Sequence, residues 1–283
     1  MSEVESPRMV QMDTGGLQKT AGRHRLQYCS AEPFPHIVID DFFVPELLTE
    51  ILEEHKDFGQ HVNGAKRYAT ATEQKMASRN EDHFGTRTLQ LMRSLNSSPF
   101  LRFLEKLTGI ESLIADPHFV GGGLHTTRRG GFLKIHADFN KHPEFRLDRR
   151  LNLLVYLNKD WEEDWGGHFE LWNPEMTACA KKVLPIFNRM VVFSTTSTSF
   201  HGQPDPLMCP DLRARRSIAL YYYTNGRPAD EIREHHNTLF RERNVNDRGP
   251  RLRRAKDSCK SLIRDMTPPV IWNVSKQLLG RRP

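Results

Sequence analysis

From about residue 111 onward the chain is a succession of short apolar runs separated by turn-forming residues. "GFLKIHADF", "RRLNLLVYLN", "GGHFELW", "RMVVFSTT" and "RRSIALYYYT" are each rich in Val, Ile, Leu, Phe or Tyr and bounded by Gly, Pro, Asn or Asp. Runs of this length and composition predict strands, and no helical period interrupts them. The pattern predicts a β-barrel or jelly roll and disfavours a doubly wound α/β sheet. Upstream the period changes. "PHIVIDDFF" predicts one strand, after which Pro45 opens a segment with Leu47, Leu48, Ile51 and Leu52 at helical spacing. "TRTLQLMRSLNSSPFLRFLEKLTGI" predicts two helices broken near Ser97-Ser98-Pro99. Residues 1 to about 30 are polar and aperiodic, and are expected to be disordered. The expected organisation is a disordered segment 1–30, a domain 31–228 with its β core at about 114–228, and an extension 229–283.

Composition narrows the class without changing that outline. A 283-residue chain with 37% hydrophobic and 27% charged residues fits a soluble globular protein. Its four cysteines, Cys29, Cys179, Cys209 and Cys259, form no C-x-x-C pair, which predicts neither a disulfide framework nor a zinc site and points to the cytoplasm. The N-terminus carries no apolar signal-like run, and no run is long enough to span a bilayer. Net charge is +6, with +7 of it in residues 227–283 and −1 in the rest. The basicity therefore belongs to the extension, which argues against the whole fold being a nucleic-acid binder. Within that extension Val270, Ile271, Val274 and Leu278 fall at helical spacing beside Lys276, Arg281 and Arg282. They predict a basic helix that either packs on the core or contacts a membrane surface or a partner protein.

The candidate chemistry lies in "FLKIHADFN". A lone His-x-Asp pair is expected about once or twice by chance in a chain of this composition, so context decides. On a strand, residues i and i+2 share a face, so His136 and Asp138 are able to point together into a barrel. A redox-active iron site needs two imidazoles and one carboxylate on one face of the metal. His201, in "STTSTSFHGQPDP" about sixty residues on, is the candidate third ligand. "RARRSIALYYYT" then offers Arg215 and Ser217 on one face of a strand, a cation and a hydroxyl suited to a carboxylate. A register shifted by one would put Arg216 there instead.

With these residues in this order, the chain from about residue 114 to residue 228 resembles the Fe(II)/2-oxoglutarate-dependent dioxygenases, specifically their prolyl-4-hydroxylase-like group. The resemblance rests on "HADF", "YLNKDW" followed by "GGHFELW", "FHGQPDP" and "RRSIALYYY". It implies a double-stranded β-helix, with Fe(II) held by His136, Asp138 and His201 and the C5 carboxylate of 2-oxoglutarate on Arg215. "YLNKDW" is similar to the matching stretch of the oxygen-sensing prolyl hydroxylases, which implies that Tyr156 hydrogen-bonds the same carboxylate. The basic residue sits 14 positions after His201, and the insertion "DPLMCPDLRA" accounts for the long interval. Because Asp138 is intact, the resemblance implies hydroxylation rather than halogenation. The reaction would consume O2 and convert 2-oxoglutarate to succinate and CO2, with ascorbate keeping the iron reduced. The implied substrate is a prolyl residue in a peptide, an amino acid or another small molecule.

Several residues admit two readings. Tyr156 is either a co-substrate ligand or core. "GGGLHTTRRGG" is either a substrate-facing loop, with Arg128 and Arg129 meeting an acidic group, or a solvated hairpin. His125 either approaches 2-oxoglutarate or is a core histidine, whereas His142, His235 and His236 are expected in solvent and Gly166-Gly167 in a turn. Two other functions compete with the enzyme. One is a non-catalytic β-helix binding module. The other is an oxygenase acting on nucleic acid, which would depend on the basic extension and weaken steeply with salt.

Overall fold

The computed structural model describes residues 13–55, 66–79 and 81–243. In chain order the main elements are α1 (Thr14–Cys29), β1 (His36–Asp40), α2 (Pro45–Glu54), β2 (Lys66–Ala69) and β3 (Glu73–Ser78). Helices α3 (Thr86–Leu95) and α4 (Ser98–Thr108) follow, then β4 (Ile114–Ala115), β5 (Gly123–Arg128), β6 (Phe132–Ala137) and β7 (Asp148–Tyr156). The chain continues through β8 (Phe169–Trp172), β9 (Cys179–Val183), β10 (Arg189–Ser194), β11 (His201–Gln203), β12 (Ala214–Thr224) and β13 (Leu239–Phe240). The strands pair antiparallel in the order β1-β10-β7-β12-β5-β3-β6-β11-β8-β9, a barrel-like sheet with helices on one side.

Alternation along the strands divides the sheet into two faces. Leu151, Leu153 and Val155 of β7, Met190 and Val192 of β10, and Ile218 and Leu220 of β12 pack against Leu48, Ile51, Leu91, Leu95, Phe100, Phe103 and Leu107 of the helices. Their neighbours in sequence face the opposite way. Tyr156 and Val191 join Phe169, Leu171, Val183 and Phe193 in a second cluster inside the barrel. The apolar runs are nearly continuous because both faces of the central strands are buried.

The structure corrects the sequence reading at both ends. Residues 14–29, expected to be disordered, form α1. Asp13 caps it, its carboxylate accepting from the N–H of Gly15 and Gly16 at 3.0 Å each. The apolar period of α1 is weak because few positions are buried, chiefly Ala21 and Tyr28. It is held by specific bonds instead: Tyr28 Oη to Ser194 Oγ at 2.7 Å, and Arg25 Nη1 donating to Lys106 O at 2.7 Å. At the other end, the core does not stop at residue 228. Leu239 and Phe240 pair with Ala137 and His136 of β6, and Arg241 N donates to Ile135 O. The helix expected around Val270–Leu278 lies outside the described residues. Among the described residues, no helix is long and apolar enough to cross a membrane.

Candidate active site

Strand pairing assembles the predicted ligand set. β11 runs antiparallel to β6 with His201 opposite His136, and Asp138 follows β6 by one residue. The imidazole centroids lie 4.5 Å apart. Each ring is oriented by a backbone carbonyl: His136 Nδ1 is 2.8 Å from Lys134 O, and His201 Nδ1 is 2.8 Å from Ser199 O. Donating through Nδ1 leaves Nε2 as the lone-pair nitrogen in both rings. Those nitrogens face Asp138, His136 Nε2 at 3.6 Å from Oδ1 and His201 Nε2 at 3.3 Å from Oδ2. All three ligand atoms fall within 4.8 Å of one another. Two neutral imidazole nitrogens and one carboxylate oxygen converging on one side suit a divalent metal with open positions.

The electrostatics agree with that donor set. Burial by itself would raise the carboxyl of Asp138, but Arg149, with the two histidines beside it, holds it well below the usual range. His201 is lowered, mainly by burial, against the opposing pull of Asp138. The site thus favours an ionised carboxylate and a neutral imidazole, the forms a metal requires.

Arg149 is a site residue that the sequence reading missed. It is 1% exposed. Its Nη2 lies 3.1 Å from Asp138 Oδ2, while Nε and Nη2 donate to Asn152 Oδ1 at 2.9 and 2.7 Å. Asn152 Nδ2 in turn donates to Asp138 Oδ2 at 2.7 Å. The guanidinium is stacked between Tyr221, at 3.5 Å to the ring centroid, and Phe139, at 4.4 Å. The available signal was Asn152, a polar residue inside the apolar run "LNLLVY".

A second cluster gathers around β12. Ser217 pairs with Tyr156 of β7 on one side and with His125 of β5 on the other. Arg215, two residues before Ser217 and on the same face, donates from Nη2 to Tyr156 Oη at 3.1 Å and from Nε to Gly167 O at 2.9 Å. Its guanidinium carbon lies 4.9 Å from the Tyr156 ring centroid. Burial raises the Tyr156 phenol, with Arg215 pulling the other way. Gly167 has φ +77°, and a Cβ there would lie 2.6 Å from Leu207 Cδ2 and 3.2 Å from Arg215 Cδ. The Gly166-Gly167 turn is therefore also the support for Arg215. Arg216 points to the helix-facing side, its backbone N–H donating to Asn158 Oδ1 at 2.7 Å.

The residues with two readings divide as follows. "GGGLHTTRRGG" is largely the sheet strand β5, where a Cβ on Gly123 would lie 2.1 Å from Ser78 O. Arg129 donates to Cys209 O at 3.0 Å and Met208 O at 3.2 Å. His125 faces the barrel side, its Nε2 3.2 Å from Gly121 O, and burial together with Lys75 lowers it to about 3. His142, expected in solvent, is 1% exposed and stacks on Phe145 at 4.6 Å. Its Nε2 lies 3.5 Å from Asp116 Oδ1, and its ring packs edge-on to Tyr223, an enclosure that local sequence does not reveal. His235 is exposed, while His236 is half-buried with Nε2 2.7 Å from Ser197 Oγ.

Comparison with known proteins gives a consistent result. Residues 122–223 match the family model of the 2OG-Fe(II) oxygenase superfamily, a span containing every residue of both clusters. A mouse protein, prolyl 3-hydroxylase OGFOD1, is 24% identical over 216 residues, covering 72% of this chain and 35% of that protein. The chain thus spans about a third of that relative. A Trichoplax adhaerens prolyl hydroxylase, solved in complex with a hypoxia inducible factor oxygen degradation domain peptide fragment, superimposes with a TM-score of 0.54 at 18% identity. The match covers 74% of this chain and 91% of that one. A prolyl 4-hydroxylase from Phytophthora capsici gives 0.51 at 19% identity, over 75% and 65% of the respective chains. Residues 122–223 thus resemble the 2OG-Fe(II) oxygenase superfamily, and the fold is like that of the prolyl hydroxylases.

Proposed function

We propose that this protein is an Fe(II)- and 2-oxoglutarate-dependent dioxygenase of the double-stranded β-helix type that hydroxylates an unactivated C–H bond. The observation that carries the reading is the joint presence of His136, Asp138 and His201 on one side of the barrel and the Arg215–Tyr156 pair on the same face of the sheet. The balanced reaction takes substrate C–H, 2-oxoglutarate and O2 to the alcohol, succinate and CO2. Fe(II), when bound, would supply the redox chemistry needed to use O2. His136 and His201 would hold the metal through Nε2, and Asp138 would hold it through the oxygen that Arg149 and Asn152 leave free. Arg215, Tyr156 and Ser217 bind the distal carboxylate, with Arg215 kept in place by Gly167 O. Phe169, Leu171, Val191 and Phe193 form an apolar wall that limits water beside the reacting centre.

The relatives favour a prolyl residue of a peptide or protein as the substrate, since one is a prolyl 3-hydroxylase and another was solved with a peptide fragment. Ascorbate would maintain the ferrous state over many turnovers. The test is to incubate the protein with Fe(II), 2-oxoglutarate, ascorbate and proline-containing peptides, and to follow peptide mass. A gain of one oxygen on proline, lost in His136→Ala, supports the proposal. Succinate formation without oxidised peptide would retain the oxygenase and reject the prolyl substrate.

A further inference from the structure

On the opposite face of β12 from Arg215, the sheet carries an unusual feature. Ala214, Arg216, Ile218 and Leu220 share the helix-facing side, where Ile218 and Leu220 are core. The alternation calls for an apolar residue at 216, and the chain places a half-buried arginine there instead. β5 pairs with this part of β12, so Arg128 lies on the same face beside it. Together with Lys159 and Arg213 they line a cavity of about 330 Å³, whose apolar part includes Trp161 and Leu212.

The cavity holds four cations and no carboxylate. None of the four makes an ion pair among the described residues, whereas Arg129 next door reaches Asp211 at 3.8 Å. Arg216 Nε is buried without a hydrogen-bond partner. Arg213 is spent on backbone oxygens, donating to Lys159 O and, at 3.2 Å, to Asp160 O, with its guanidinium 5.0 Å from the Trp165 ring. Burial lowers Arg216, and the like charges of Arg128 and Arg213 lower it further. Four cations held together without a counter-charge repel one another, and an unsatisfied buried donor adds a desolvation cost. A bound anion would relieve both.

We propose that this cavity is a second binding site, separate from the 2-oxoglutarate site, for a small phosphomonoester with an apolar or aromatic body. The dianionic group would sit on the forks of Arg128 and Arg216, which match phosphate oxygens two at a time. The body would lie against Trp161 and under Leu212, which is 95% exposed at the rim. The volume is in the range of small-molecule sites and too small for a folded partner. The proposal stands on these residues alone and does not depend on the oxygenase reading.

Phenyl phosphate is the probe. It is titrated into the full chain at physiological ionic strength, with calorimetry and tryptophan fluorescence as readouts and inorganic phosphate, phenol and a short single-stranded oligonucleotide as controls. Saturable binding of phenyl phosphate, weaker binding of phosphate, none of phenol, and a loss of about tenfold or more in Arg128→Gln/Arg216→Gln are expected. Leu212→Glu, which places a carboxylate at an exposed rim position without touching the core, should weaken binding in the same direction. Saturating 2-oxoglutarate should leave the phenyl phosphate affinity unchanged. The proposal is overturned by absence of saturable binding, by unchanged affinity in both variants, by displacement with 2-oxoglutarate, or by binding confined to the oligonucleotide. Removing two repelling cations should also raise the melting temperature of Arg128→Gln/Arg216→Gln, and a lowered one would contradict the premise.

Discussion

Replacing Arg149 with lysine separates geometry from charge at the metal ligands. Arg149 makes two hydrogen bonds to Asn152 Oδ1 and one contact to Asp138 Oδ2, and Asn152 completes the ring with its own bond to Asp138. Lysine keeps one positive charge near Asp138 but has no planar fork, so it holds Asp138 or Asn152 and not both. Hydrogen bonds to charged groups contribute on the order of 1.5–3 kcal/mol each. Outer partners of metal ligands are worth roughly 10–100-fold in metal affinity, which corresponds to about 1.4–2.7 kcal/mol. Arg149→Lys should therefore weaken Fe(II) or Mn(II) binding, measured by anaerobic calorimetry, by that factor while the fold is retained. Arg149→Met removes the charge as well and leaves Asp138 buried without its main counter-charge, a loss of about 3–5 kcal/mol in the metal-free protein. Metal should restore more stability to that variant than to the wild type, because the ion replaces the missing charge. Metal affinity in Arg149→Lys equal to wild type, with melting temperature the only change, would show that Arg149 braces the strand and does not position Asp138.

Two further predictions follow from particular contacts. Gly167→Ala forces a side chain into φ +77°, at a cost of about 1–2 kcal/mol, and pushes on Arg215 Cδ; KM for 2-oxoglutarate should rise more than kcat falls, in steady-state assays. His55 is 1% exposed, and burial, with Arg216 and His125 nearby, lowers it to about 3 from the 6.5 of a free histidine. It is neutral in the folded state, so the unfolded chain binds the extra proton. Stability is complete above about pH 6.5 and declines as pH falls toward about 3, by about 1.4 kcal/mol per pH unit from this group. Urea unfolding at a series of pH values should show that slope, and His55→Gln should reduce it; an unchanged slope would contradict the assignment.

The strand-rich body was legible because its apolar runs are bounded by turn residues, and α2, α3 and α4 because their apolar positions recur at helical spacing. β2 and β3 were not, since "KRYA" and "EQKMAS" are mostly polar and become strands through tertiary pairing, β3 with β5 and β6 and β2 with β3. The short β11 was hidden for a related reason. His201 opens a three-residue strand whose existence depends on β6 and β8 on either side. Among site residues, His136, Asp138, His201 and Arg215 are chemistry-bearing types at informative intervals. The choice of Arg215 over Arg216 came from its alternation with Ser217, and the register of β12 places Ser217 against Tyr156, which Arg215 reaches. Arg149 reads as an ordinary strand-edge cation in "DRRLNLL" until tertiary packing encloses it between Tyr221 and Phe139.

The central claim, that the two clusters hold Fe(II) and 2-oxoglutarate for oxidative turnover, is tested most directly by succinate formation from 2-oxoglutarate, Fe(II) and O2. The assay compares wild type, His136→Ala, Arg215→Ala and Arg216→Ala. The account predicts turnover in the wild type, none in His136→Ala, a KM for 2-oxoglutarate raised about tenfold or more in Arg215→Ala, and a near-normal KM in Arg216→Ala. Turnover that survives His136→Ala, or a KM that moves with Arg216 and not with Arg215, would contradict it.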